Sequence, residues 1–574
     1  MSLFIRLLLL FLLTTTAFAL DRNAFSISKY DLEFRVNPEE SAVAARGKIT
    51  LRNDSNQPQT LAALQISSSL AWRMIEGDGK PLQYLAEPQT TDIDHTGKVN
   101  EAVITLPAAV APKGTVELEI GYSGTITRDA ARLNRIGVPE AQALASDWDR
   151  VENAFSAVRG IGHVAWYPIA SDPANLSENT LFAMIDGWQR REAQAQMKVK
   201  FCWVTDEDRS YTVVANGRFD GIGSAGPELE GNRAGCTTYL FQKLGENIPT
   251  FAIAPFELMT RPTISLYYQL GHTAAATDYA LAAETVQPWV EQWFGPAKEK
   301  VQVIELPDAN AAPFESGAML FTPLNKDRKV AELTMAHQLT HASFTSPRRW
   351  ISEGLAQFAQ AYVRERQDGR RAALEFMSVR MPPLVAAEKQ NKDAAKPLGD
   401  AAQSLVSTTD EVYYRIKAMY VWWMLRDMVG DEALRAAIQN YHADQDKDPV
   451  FIQRLILAQS RRDLEWFFDD WVYRDRGLPD FRIASAFPRE TLNNSHVVAV
   501  TVENTGTAGA EIPVTVDFAS GQKSERMVVK AGQKEITRIS VSGTPIQMIV
   551  SDGSIPETDT SNNRMELPAA PEVK

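Results

Sequence analysis

His337 and His341 stand four residues apart, and Glu353 follows twelve residues after the second histidine. Two imidazoles at that spacing share one face of a helix, where both rings reach a single divalent ion. Val330, Leu333 and Ala336 give an apolar stripe ahead of the pair, and no Gly or Pro interrupts it, so the text predicts a helix. Pro347 ends that helix, and Ile351 to Tyr362 reads as a second one carrying Glu353 near its start. A tight return between the two helices would bring the carboxylate beside the imidazoles as a third ligand, leaving a fourth position for water. Gln338 occupies the place from which a glutamate would take a proton from that water. A carboxamide can hydrogen-bond the water but accepts no proton near neutral pH. With seven histidines in 574 residues, the spacing alone is only suggestive. The run Trp350-Ile351-Ser352-Glu353-Gly354 strengthens it.

The elements that would hold these side chains fall into a multidomain α+β order. Tyr30, Leu32, Phe34 and Val36 alternate with Asp31, Glu33 and Arg35, the period of a half-buried strand. Similar segments recur at 48–51, 116–122, 197–203, 211–215 and 237–241, so residues 20–258 read as an N-terminal all-β domain. From about Thr273 the period becomes helical: Ala276 to Phe294 stops at Gly295-Pro296, Val301 to Leu306 is a short strand, and helical text runs from Lys329 to Val472. Residues 259–480 therefore read as a mixed catalytic-type domain with a helical tail. Beyond Gly477-Leu478-Pro479, alternation at 497–502, 514–518 and 546–550 predicts a C-terminal β-sandwich over 481–574, of immunoglobulin or fibronectin type.

Composition narrows the partners. A net charge of −13 with no basic run argues against nucleic acid. Arg6, the apolar run Leu7 to Leu13 and Ala17-Phe18-Ala19 read as a signal peptide over 1–19. No cysteine follows the cleavage site, which argues against a lipid anchor, and no later segment is long and apolar enough to span a bilayer. The expectation is a periplasmic or secreted protein. Cys202 and Cys236 lie in strand-like segments; export allows them to form a disulfide, and two buried thiols are the alternative.

The likeness to a known family extends beyond the histidines. Tyr167-Pro168 with Asp172-Pro173, Ala215-Asn216-Gly217, Phe294-Gly295-Pro296 before the Val303 to Pro307 strand, and Phe467-Phe468-Asp469-Asp470-Trp471 follow in an order that resembles the aminopeptidase N family of gluzincin zinc metallopeptidases over about residues 25–480. The resemblance implies a thermolysin-like α/β domain, one zinc ion on His337, His341 and Glu353, and a peptide or unfolded protein segment in the cleft. Three departures bear on activity. Gln338 stands for the family's general base. The third ligand comes twelve residues after His341 rather than nineteen. Gly317-Ala318-Met319-Leu320-Phe321 occupies the substrate-binding Gly-Ala-Met-Glu-Asn motif, so the glutamate that would hold a substrate's amino terminus is Leu320.

The resemblance leaves several roles open. Glu315, two residues before Gly317, is a candidate replacement for the amine anchor. The segment around Gly317, Ala318 and Met319 reads either as an edge strand that an extended peptide joins through main-chain groups or as a buried strand. Tyr414, with Tyr413 as the alternate, takes the place of the family's oxyanion-stabilising tyrosine; core aromatics are the other reading. Two functions follow from this pattern: a metallopeptidase with impaired hydrolysis, or a non-catalytic peptide- or protein-binding relative.

Overall fold

The computed structural model describes residues 20–178, 180–205, 210–223, 233–244, 247–324, 327–393, 404–491 and 495–567. The expected signal peptide lies outside them. Among the described residues no helix is long and apolar enough to cross a membrane. The chain divides into two compact units between Ala254 and Pro255.

In the first unit, the alternating segment forms the strand Phe25–Asn37, with Tyr30, Leu32, Phe34 and Val36 buried on one face. It sits inside an eight-stranded sheet, parallel to Gln196–Thr205 on one side and antiparallel to Ala42–Asn53 on the other. Two three-stranded sheets accompany it. The region is not purely β, however. Ala131–Arg135, Glu140–Ser146 and Leu181–Arg191 are helical. The first two are too short to show a helical period in sequence. Cys202 and Cys236 face each other in the antiparallel register of Gln196–Thr205 with Arg233–Gln242 and form a disulfide.

One buried acid in this unit has a readable charge state. The Glu192 carboxyl accepts from the Ile27 amide at 3.0 Å and lies 3.1 Å from the Tyr30 hydroxyl, which is also 3.1 Å from the Pro168 carbonyl. Tyr30 has one proton for two acceptors, so a protonated Glu192 that donates to Tyr30 satisfies all three groups. Burial accordingly raises Glu192 to about 7. An acid whose pKa rises on folding stabilises the fold below its unfolded pKa and loses that contribution as pH climbs through the folded value. Glu192→Gln keeps the neutral hydrogen-bond pattern. Its stability relative to wild type should therefore increase between pH 4.5 and 8 by up to roughly 3 kcal/mol in urea unfolding. A constant difference across that range would refute a neutral Glu192.

In the second unit a five-stranded sheet runs in the order Glu257–Thr260, Ile264–Tyr268, Val301–Glu305, Met319–Thr322, Phe314–Ser316. The two inner pairs are parallel and the outer pairs antiparallel. The Thr273–Phe294 helix makes the crossover between the first parallel pair, and Gly295 ends it at a φ of 80° that favours glycine. Helices Arg328–Ser343 and Arg349–Asp368 follow, then a helical tail. Two segments, Val412–Lys417 and Asp469–Tyr473, wind as π-helix. Residues from Phe481 onward form a three-stranded and a four-stranded sheet. Their core is continuous with that of the helices, and the Trp471 indole donates to the Gly509 carbonyl at 2.7 Å.

Candidate functional site

The Arg328–Ser343 helix starts on an Asp327 cap, whose side chain accepts from the Lys329 amide. From Met335 to Thr340 every residue is buried, so the histidine turn is enclosed by protein. The return to the next helix is pinned by Arg348, which makes bonds of 2.8 Å from both Nε and a terminal nitrogen to the Asp446 carboxylate. Asp446 also accepts from Tyr441, whose hydroxyl meets Ser346 at 2.8 Å. The second helix is then pressed against Ala418–Val429. Trp350 and Trp422 stack at 5.2 Å, and the Trp422 indole donates to the Trp350 carbonyl. A Cβ at Gly354 would lie 2.6 Å from that of Ala418. Glycine beside Glu353 thus lets the two helices approach closely enough to bring the carboxylate into register.

Four side chains converge as a result. The Nε2 atoms of His337 and His341 are 3.1 Å apart. Glu353 approaches His341 to 3.5 Å and His337 to 3.8 Å, and Glu315 approaches His337 to 3.0 Å. One donor atom from each of the four lies within 4.8 Å of every other. Zinc bonds of about 2.1 Å in a tetrahedron would set ligand atoms about 3.4 Å apart, and the four pair distances of 3.0, 3.1, 3.5 and 3.8 Å lie near that value. The Glu353 Oε2 atom is buried and makes no hydrogen bond, its charged neighbour being the Arg415 Nε at 3.2 Å. Two imidazoles with carboxylate oxygens form a donor set that suits zinc.

Charge in the pocket is balanced by Arg415, a residue that the sequence reading did not single out. Its guanidinium donates to Glu315 at 2.6 Å and sits 3.2 Å from Glu353 in an ion pair without good hydrogen-bond alignment. Burial alone would raise the Glu315 carboxyl, but His337 and Arg415 outweigh it and hold it well below the usual range. For His337, burial acts downward and the two carboxylates overcome it, leaving the ring above its ordinary value. For His341, burial prevails over Glu353 and the ring is lowered. Arg415 is offered from the π-helical segment Val412–Lys417, which is anchored by the buried Lys417 ammonium between Glu388, at 2.6 Å, and Asp475. Irregular winding of this kind is frequent at functional sites.

Other sequence expectations land differently. Gln338 turns its amide nitrogen to Glu315 Oε2 at 2.5 Å, while its own Oε1 is buried with no donor. Glu315 therefore lies inside the histidine cluster. Gly317 and Ala318 form the turn between two strands, and Met319–Thr322 is paired on both sides. That segment is thus an inner strand, with Leu320 buried opposite Glu315. Phe314–Ser316 is one edge of the sheet and Glu257–Thr260 the other. The Tyr414 hydroxyl donates to Glu411 at 3.2 Å, and its ring lies under Arg349. Burial, with Glu411 adding to it, raises the Tyr414 phenol. The Tyr413 ring faces the Lys417 ammonium at 5.5 Å.

The fold is similar to that of the crystal structure of Legionella pneumophila aminopeptidase A in complex with aspartic acid. The TM-score is 0.57 at 11% identity, covering 93% of this chain and 59% of that one. The chain thus spans about three fifths of that protein's length. An M1 zinc metallopeptidase from Deinococcus radiodurans aligns over 78% of this chain and 93% of its own, at 17% identity and a TM-score of 0.48. At 11% identity the first of these likenesses is one of fold alone. No family profile and no curated protein matches the sequence.

If Gly354 sets the approach of the two helices, Gly354→Ala should lower stability by about 1–3 kcal/mol in urea unfolding, the usual cost of overpacking. An unchanged midpoint would show that the contact yields freely.

Proposed function

We propose that this chain is an exported, zinc-binding protein on a gluzincin peptidase scaffold, with peptide hydrolysis impaired by Gln338. One observation carries the reading: the two imidazole Nε2 atoms and the Glu353 carboxylate of adjoining helices converge on one point. His337, His341 and Glu353 would hold the zinc, which when bound would supply Lewis acidity toward a peptide carbonyl or a water. The remaining chemistry belongs to the chain. The partner in this reading is an extended peptide or an unfolded protein segment, a class of ligand that joins a sheet through main-chain groups. Gln338 cannot take up the proton that a general base must accept, a loss worth about 10²–10⁴ in rate. Tyr414, tied to Glu411, would have to leave that bond before it could serve an oxyanion.

A second reading, a non-catalytic peptide- or protein-binding cleft, is favoured by Arg415. A guanidinium paired with both Glu315 and Glu353 opposes further positive charge and rigidifies the pocket. Export in either reading rests on the sequence signal and is consistent with the disulfide.

Elemental analysis of the purified chain should find about one zinc per molecule. Substituting His337→Ala should abolish it while circular dichroism stays native. A wild-type protein that holds no zinc under metal-replete conditions would end the proposal.

A further inference from the structure

The carboxylate of Glu315 has no place in a three-ligand site, yet it is built into this one from three directions. Its Oε2 faces His337 Nε2 at 3.0 Å, the closest approach of any carboxylate oxygen to either ring. The Gln338 amide donates to the same oxygen at 2.5 Å, and Arg415 holds the other at 2.6 Å. A carboxylate has about four lone-pair directions, so Oε2 can accept from Gln338 and still present an electron pair to a cation. The strand geometry fixes the approach as well: Glu315 lies on the short edge strand opposite the buried Leu320, at the turn made by Gly317.

From this geometry we infer that Glu315 is a fourth protein ligand, so that His337, His341, Glu353 and Glu315 close the coordination sphere around zinc. Gln338 is then the residue that holds the fourth ligand in place. An ionised glutamate at 338 could not do this, because it has no hydrogen to donate and would set a second carboxylate against Glu315. The inference rests on the zinc reading above and adds to it. A closed four-ligand sphere is the form of a structural site, whereas a catalytic site keeps one position open. The glutamine accordingly serves the closed state and is more than a deleted base. Arg415 supplies the outer hydrogen bond that ligating carboxylates commonly receive.

The test uses the full chain with zinc removed and replaced by cobalt(II), whose visible absorption reports coordination. Acetohydroxamate is the probe for an open position. The wild-type cobalt spectrum should not respond to acetohydroxamate, whereas Glu315→Ala should bind it. Zinc affinity should fall by about 10–100-fold in Glu315→Ala and in the isosteric Glu315→Gln. Glu315→Gln keeps an acceptor for Arg415 and serves where the alanine variant fails to fold. Peptide cleavage should return only in the double variant Glu315→Ala with Gln338→Glu. Equal zinc affinity in wild type and both Glu315 variants, or a wild-type cobalt form that takes up the hydroxamate, would overturn the fourth-ligand assignment and leave the zinc reading standing. Recovery of cleavage by Gln338→Glu alone would do the same. Failure of the wild type to bind any metal would instead remove the zinc reading itself.

Discussion

The placement of Arg415 between the carboxylates of Glu315 and Glu353 is the interaction on which the pocket depends. Two acids and two imidazoles in a largely enclosed space need compensating positive charge, or the acids would take up protons instead. The guanidinium supplies that charge in a fixed planar form that does not deprotonate. Its position is determined well away from the pocket, by the π-helical winding of Val412–Lys417 and by the Lys417 ammonium buried with Glu388 and Asp475. An ion cluster of that kind adds little net stability, but breaking it leaves charges stranded. Its use here is to fix the register of the segment that carries Arg415.

Packing performs the complementary task for the other carboxylate. Glu353 reaches the histidines because Gly354 lets its helix lie against Ala418 and Trp422 without a side chain between them, and because Trp350 stacks on Trp422. The loop of only a few residues between the two helices is held by Arg348 on Asp446. A short spacing between the second histidine and the third donor is therefore enough.

The sequence showed those parts of the site that are local and left out those that are distant. The histidine pair, the helix beneath it and the Trp-x-x-Glu-Gly return were all legible, since each depends on spacing within one or two turns. The alternating strands of the C-terminal sheets were legible for the same reason: His496–Asn504 buries every second residue. Arg415 was not, because its partner Glu315 lies 100 residues away and a π-helical turn shifts side chains off the 3.6-residue period. The inner position of Met319–Thr322 was equally hidden. All four of its residues are buried, a pattern that fits a strand paired on both sides yet does not reveal its neighbours. A count of charge would have pointed toward Arg415, since a pocket with Glu315 and Glu353 calls for a cation nearby.

Gln338 and Glu315 are best understood together. In a pocket with a glutamate after the first histidine, a second carboxylate at the position of Glu315 would face it within hydrogen-bond reach, and the two could not both remain ionised. One would hold a proton, and neither would then act cleanly as base or ligand. With glutamine the conflict becomes a bond, because the amide nitrogen donates to the oxygen that a glutamate would repel. Gln338 thus stabilises a carboxylate that faces His337. The amide thereby ties the histidine helix Arg328–Ser343 to the short strand Phe314–Ser316.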